Sequence, residues 1–413
     1  MTGQGWVSAR VWGLRLIWTL ALAILAAGPG PAAAQDPWIG SWGASPSFVA
    51  GPRPAGTTIR QFIRLSAGGD RLRVRLSNET GTRPLVIGAA RIARPGPQAG
   101  SIAPDSSKAL TFDGAGSVTI PPGQAVLSDP VDVRAQAFDS WAISLYLPQP
   151  TGALPAHKDG QQTAWLSRSG DATAMARLPD ATTTTMRVIL SRIDVAATGG
   201  TLVAFGDSIT DGARSGIDAN RRWPDMLAER LAARGGPAIG VVNAGISGNR
   251  LLRDVPGSAY GPAALTRLDR DVLAVPGTRW VVVLIGVNDI GHSGDSARTD
   301  RAATAEQVIG GLGQIAARAR SHGLAIYCGT LTPFEGAALA GYYSPRGEAK
   351  RQAINSWIRT AGSCDATIDF DAALRDPARP TRLRPGFDSG DHLHPNAAGY
   401  AAMAAAVDPD LFR

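Results

Sequence analysis

Thr201-Leu202-Val203-Ala204-Phe205-Gly206-Asp207-Ser208-Ile209-Thr210 opens the second half of the chain, and it reads as a short buried strand that ends at a glycine and delivers a serine just beyond. Ala238 to Asn243, Trp280 to Ile285, Leu324 to Cys328 and Thr367 to Phe370 are runs of the same buried type. Amphipathic helices lie between them. Trp223, Met226, Leu227 and Leu231 share one helical face, as do Ile309, Leu312, Ile315, Ala316 and Ala319, and later Ala353, Ile354, Trp357, Ile358 and Ala361. Five strands interleaved with helices predict an α/β domain whose parallel sheet is covered on both faces. In such sheets the working residues collect beyond the carboxyl ends of the strands. Ser208, Gly248 in Gly245-Ile246-Ser247-Gly248-Asn249, and Asn288 in Gly286-Val287-Asn288-Asp289 follow the ends of the first three strands, so they are expected to meet.

Upstream of Thr198-Gly199-Gly200 the rhythm is different. Ile59 to Leu65, Arg71 to Leu76, Leu85 to Ile92, Trp141 to Leu147 and Met186 to Val195 are short runs broken by Gly, Pro, Asn and Asp, without helical periodicity. This part reads as an all-β sandwich. Its Trp42, Trp141 and Trp165 have two readings, a sugar-stacking platform or ordinary core. At the N-terminus, Arg10 and Arg15 precede the apolar stretch Leu16 to Ala27, followed by Gly-Pro breakers and Ala32-Ala33-Ala34. That is the layout of a cleavable signal peptide, with an uncleaved anchor as the alternative reading. The expected organisation is a signal peptide over 1–34, an all-β domain over 35–197 and an α/β domain over 198–413, with export out of the cytoplasm and no transmembrane span in the mature chain. In an oxidising compartment Cys328 and Cys364 favour one disulfide, although two buried free thiols remain a second reading.

Composition narrows the function. At 413 residues with 44% hydrophobic and 18% charged residues, the chain is folded and long enough for two cores. Its formal charge of +7 comes from scattered arginines that often alternate with apolar residues, as in Arg71-Leu72-Arg73-Val74-Arg75-Leu76, and no basic run appears. Nucleic-acid binding is therefore not expected.

The chemistry sits in four fragments. A serine hydroxyl needs a base, and His394 in Asp391-His392-Leu393-His394-Pro395 supplies one. Asp391, three residues earlier, is placed to accept from the imidazole Nδ1–H and fix its tautomer. Pro395 is expected to start a helix. Negative charge on an attacked carbonyl needs donors: the Asn288 amide and the Gly248 backbone N–H, which no side chain obstructs, are the candidates. Gly206-Asp207-Ser208 is not the Gly-x-Ser-x-Gly elbow of α/β-hydrolases. A rival reading has His392, His394 and Asp391 chelating a metal with Asp207 or Asp211, but no further His or Glu at metal spacing accompanies the other fragments. His157, His292 and His322 read as ordinary surface residues.

These four blocks, in this order, resemble those of the SGNH hydrolases, also called the GDSL esterase/lipase family, over roughly residues 200 to 405. The resemblance implies Ser208 as nucleophile and first oxyanion donor, Gly248 and Asn288 as the other donors, and His394 with Asp391 as base and partner. It also implies a flavodoxin-like three-layer domain with strand order 2-1-3-4-5 and no cofactor. The first block carries Ile209 where the family name has Leu. An exported member with a β domain in front resembles carbohydrate-associated esterases, so the expected partner is an ester substrate such as an acetylated polysaccharide or cell-wall glycan. A lipase, arylesterase or thioesterase of the same fold is one alternative, and a non-catalytic glycan-binding module is the alternative from another class.

Overall fold

Five strands of the second half run side by side in one direction: β1 (Gly199–Gly206), β2 (Ala238–Gly245), β3 (Thr278–Leu284), β4 (Ala325–Gly329) and β5 (Ala366–Ile368). Their order is β2-β1-β3-β4-β5, the flavodoxin-like arrangement. The computed structural model describes residues 37–255, 257–291, 303–360 and 364–413, so the expected signal peptide and His292 lie outside the described residues. Among the described residues, no helix is long and apolar enough to cross a membrane.

The helices that cover the sheet are α1 (Ser208–Asp211), α2 (Trp223–Ala233), α3 (Ala305–Ser321), α4 (Pro345–Thr360) and α5 (Ala397–Ala406). α2 buries Trp223, Met226, Leu227 and Leu231. Trp223 packs against Phe370 with ring centres 5.5 Å apart, and truncating a residue so placed costs about 3–5 kcal/mol. α3 opens on a capping box, the Thr304 hydroxyl accepting from Gln307 N–H and the Gln307 amide oxygen accepting from Thr304 N–H. α4 departs from its expected face. Ile354 and Ile358 are buried but Ala353 is exposed, because Arg351 and Asn355 turn inward. Arg351 pairs there with Glu348 and Asp371, and Asn355 bonds both backbone groups of Leu331. α5 also differs at its start. Asn396 is the cap, accepting from Gly399 N–H, so Pro395 stands before the cap and not in the first turn. The run Thr367 to Phe370 stops at Ile368, since Asp369 caps a short helix over Phe370–Leu374.

The first half is antiparallel throughout. A five-stranded and a six-stranded sheet enclose an apolar core, Ile39, Trp42, Leu72, Val74 and Ile193 from one meeting Ile59, Ile63, Trp141, Ile143 and Leu145 from the other. Trp42 and Trp141 are therefore core residues, while half-buried Trp165 meets Phe62 edge-on at 5.1 Å. The single strand expected over Leu85 to Ile92 is two, Leu85–Ile87 and Ala89–Ala93, in different sheets. That over Met186 to Val195 breaks at Ile189, which has φ 68°.

Residues 37–413 form one compact unit, and two backbones meet closely inside it. Gly40 N–H donates to Thr201 Oγ1 at 2.8 Å. A Cβ on Gly40 would lie 2.7 Å from a Val242 methyl, and one on Gly240 would lie 2.0 Å from the Gly40 carbonyl oxygen, so only glycine permits this approach. β2 is an outer strand of the parallel sheet, and its Val241 N–H donates to the Ser66 hydroxyl of the β half at 2.7 Å. Within the second half, Cys328 at the end of β4 is joined by a disulfide to Cys364, just before β5. Of the two readings the cysteines allowed, this is the first.

Candidate active site

Ser208 is placed by what precedes it. β1 ends at Gly206, and Asp207, extended at φ −103° and ψ −151°, caps α1 by accepting from Ile209 N–H. Ser208 is then the first residue of a single helical turn closed by Gly212 at φ 92°. Its N–H has no partner within the helix and its hydroxyl projects beyond the strand end. His394 Nε2 lies 2.8 Å from Ser208 Oγ, across 186 residues of sequence.

The far side of the imidazole is held with equal definition. His394 Nδ1 lies 2.8 Å from Asp391 Oδ2, while Asp391 Oδ1 accepts from the backbone N–H of Leu393 at 3.1 Å and of His394 at 2.8 Å. Arg214 Nε donates to Asp391 Oδ2 at 3.3 Å from an exposed side chain. Partial burial would raise the Asp391 carboxyl, but the His394 ring and those backbone donors outweigh it and hold it well below the usual carboxylate range. An ionised Asp391 requires Nδ1 to carry the proton, which leaves the Nε2 lone pair facing the Ser208 hydroxyl.

The two remaining predicted residues arrive on a loop and on a neighbouring short helix. Gly248 has φ 75°, and a Cβ there would sit 2.1 Å from the Tyr260 ring. Asn288 lies in a short helix over Val287–Gly291 and is buried. Its amide donates one proton to Asn249 O at 3.0 Å, and its oxygen accepts from Tyr342 Oη at 2.9 Å. Those contacts fix which end of the amide is which and leave its second N–H for another acceptor.

Several supporting residues escaped the sequence reading. Tyr342 comes from the loop before α4, with nothing local to mark it. Arg267, fully buried, donates to the carbonyls of Gly206 and Ala244 at 2.8 and 2.7 Å, to Asn249 Oδ1 and to Asp271, and it stacks 4.3 Å over Phe205. It ties the ends of β1 and β2 together; burial lowers its pKa to about 10, against the pull of Asp271. Asn249 was visible beside Gly248, and its amide donates to the carbonyls of Tyr260 and Pro262. Asp289 accepts from Leu251 and Leu252 N–H, joining the Gly248 loop to the Asn288 helix. Beneath the site, burial is the main cause that raises Asp207 to about 7 and Asp289 to about 6, and the charge of Asp289 adds to the first.

One expectation needs correction. His157 is not a surface residue: it is 4% exposed, on the strand Leu154–His157, and bonds Ser45 O and Asp211 Oδ1 at 2.9 Å each. His322 is exposed. The rival chelating group does not converge, because His392 turns to Asp388, Asp211 faces His157 and Ser247, and Asp207 caps α1. Among the described residues, no three or more His, Cys, Asp or Glu side chains are grouped to hold a metal ion.

Residues 204–402 match the model of the GDSL-like lipase/acylhydrolase family. No match was found among curated proteins. Similar solved structures include the lipase/acylhydrolase from Enterococcus faecalis (22% identity, 50% of this chain and 92% of that one, TM-score 0.38). A carbohydrate acetylesterase family member from Sinorhizobium meliloti is 16% identical over 51% of this chain and 97% of that one, with TM-score 0.41. The M. smegmatis aryl esterase is 16% identical over 50% and 95%, with TM-score 0.39. The second half of the chain is a GDSL/SGNH hydrolase domain.

Proposed function

We propose that this protein is a serine esterase that works through an acyl-enzyme on Ser208, that its substrates are O-acetyl or other short acyl esters of carbohydrates, and that it acts outside the cytoplasm after loss of its N-terminal segment. The observation that carries the serine chemistry is the line of hydrogen bonds from Asp391 through His394 to Ser208, each 2.8 Å long. In this reading His394 Nε2 takes the hydroxyl proton as Ser208 Oγ attacks the ester carbon, and Asp391 stabilises the imidazolium that forms. The backbone N–H groups of Ser208 and Gly248 and the second amide proton of Asn288 hold the oxyanion. Collapse expels the alcohol, protonated by His394; water then attacks the acyl-enzyme with His394 again as base, releasing the acid and restoring Ser208. No cofactor enters these steps. What supports the carbohydrate and export readings is the joint presence of a signal-peptide pattern and an all-β half in front of the hydrolase domain.

Ser208→Ala is the test of the nucleophile: the folded variant is expected to lose p-nitrophenyl acetate hydrolysis and labelling by a fluorophosphonate, and wild-type turnover would sink the assignment. Acid release from acetylated xylan, peptidoglycan fragments and short p-nitrophenyl esters tests the substrate class. Activity confined to long-chain lipid or aryl esters would overturn the carbohydrate reading.

A further inference from the structure

We propose that His157, a residue of the all-β half, is a positioning residue for the oxyanion loop: as a buried imidazolium it fixes the carboxylate of Asp211, which holds Ser247 and so aims the N–H of Gly248. This rests on the reading of Gly248 as an oxyanion donor. Both ring nitrogens of His157 face oxygen acceptors, Nδ1 the carbonyl of Ser45 and Nε2 the carboxylate of Asp211, each at 2.9 Å. A carbonyl and an ionised carboxylate can only accept, so beside an ionised Asp211 both nitrogens donate, and an imidazole that donates twice is cationic. Burial opposes that charge, but the Asp211 charge and the bonds to Asp211 and Ser45 outweigh it and raise the His157 pKa. Arg222 acts in the other direction, and Arg187 is the ladder neighbour of His157 on the adjoining strand.

Asp211 is where the connection reaches the site. It is the last residue of α1, whose first residue is Ser208. Its second oxygen accepts from both the N–H and the hydroxyl of Ser247, at 3.0 Å each. A Cβ on Gly245 would lie 2.2 Å from Asp211 N, so the end of β2, from which the loop departs, packs directly on α1. The peptide that carries the Gly248 N–H begins at Ser247, and two bonds to one carboxylate oxygen restrict its rotation. One carboxylate thus links the nucleophile's turn, the oxyanion loop and the β half. If His157 loses its proton, one of its nitrogens presents a lone pair to an acceptor, and Asp211 loses a partner. Since the folded pKa is raised, this occurs on the alkaline side of the ordinary histidine range.

The test uses the full-length protein with His157→Gln, which keeps a donor and removes the charge, and Ser247→Ala, which removes only the hydroxyl contact. kcat and KM for p-nitrophenyl acetate are measured from pH 6 to 10, alongside near-UV circular dichroism and Tm. The expected result for folded His157→Gln is a kcat lower by about 10- to 100-fold, the scale of a displaced oxyanion donor, with KM little changed and the alkaline fall of wild-type kcat absent. Combining it with Ser247→Ala should cost less than the product of the two single effects. A folded His157→Gln with wild-type kcat, or with reduced kcat and the alkaline limb unmoved, overturns the proposal. If that variant does not fold, Ser247→Ala decides, a lower kcat at constant KM supporting the proposal and wild-type kcat overturning it. Ser208→Ala is assayed in parallel: turnover surviving there overturns the serine reading itself, whereas the His157 result with an inactive Ser208→Ala bears on the positioning alone.

Discussion

Replacing Gly248 with alanine puts a methyl group into the Tyr260 ring. The backbone there has φ 75°, a region that strains a residue with a side chain by about 1–2 kcal/mol. The steric conflict is larger. The added carbon would lie 2.1 Å from Tyr260 Cδ1 and 2.5 Å from Cε1, whereas real contacts of this kind are almost never shorter than 3.0 Å. The clash reaches the root of the ring, Tyr260 Cγ at 2.7 Å, so turning the ring about its own axis does not relieve it, and the Asn249 amide holds the Tyr260 carbonyl at 2.6 Å so that the backbone cannot easily give way. The Gly248 N–H should therefore move by roughly 1 Å, a displacement that can cost about 100-fold in rate. Complete loss of one oxyanion donor costs about 3 kcal/mol, or 10²–10³ in kcat. Steady-state hydrolysis of p-nitrophenyl acetate should show kcat lower by about 100-fold or more with KM nearly constant, because the donor acts on the transition state and not on the bound ester. Removing the wall in Gly248→Ala/Tyr260→Ala should restore part of the loss, leaving the backbone strain. Wild-type kcat in the single variant refutes the donor assignment, and a double variant no better than the single refutes the role of the Tyr260 wall.

Tyr342→Phe deprives the buried Asn288 oxygen of its donor, a loss of about 1–3 kcal/mol, and frees the amide to turn its oxygen toward the oxyanion. kcat should fall about 10- to 100-fold at unchanged KM; equal kcat would show that the amide is oriented by other contacts. Asp207 and Asp289 predict a pH dependence of stability. With values raised to about 7 and about 6, the folded chain keeps protons that the unfolded chain releases near pH 4, so their contribution to stability falls as pH rises through that window. Asp207→Asn, which keeps a capping oxygen, should therefore gain Tm relative to wild type on going from pH 5 to pH 8, and a difference independent of pH would contradict the raised value.

The parallel sheet was legible because strands covered on both faces are written as uninterrupted apolar runs, and Thr201 to Phe205 needs no knowledge of its partners to be read that way. Ser208, Gly248 and Asn288 were legible because they stand at the ends of such runs. His157 was not. Pro155 and the polar segment from Lys158 to Gly160 give it a surface-like setting, and the side chain that pairs with it in the interior is Asp211, 54 residues away. Arg351 and Asn355 misled in the same way, since polar residues inside α4 are satisfied by Asp371 and Leu331 from other parts of the chain. Breaks at Gly88 and Ile189 were missed because a run of β-forming residues does not show where its strand changes sheet. The four-block order contains the residues that converge beyond the strand ends, while the groups that hold them in place, Tyr342 and Arg267 among them, lie outside those blocks.

The close meeting of Gly40 with Gly240 and of Ser66 with Val241 has a consequence for the hydrolase domain taken alone. β2 is an outer strand, and an outer strand offers unpaired N–H and C=O groups to any other chain that can add to it. Here the β half stands against that strand and uses at least one of those groups for itself. A chain cut at residue 198 would keep every predicted catalytic residue yet carry an unguarded seam, and its characteristic failure would be self-association along β2 before any defect in chemistry could be read.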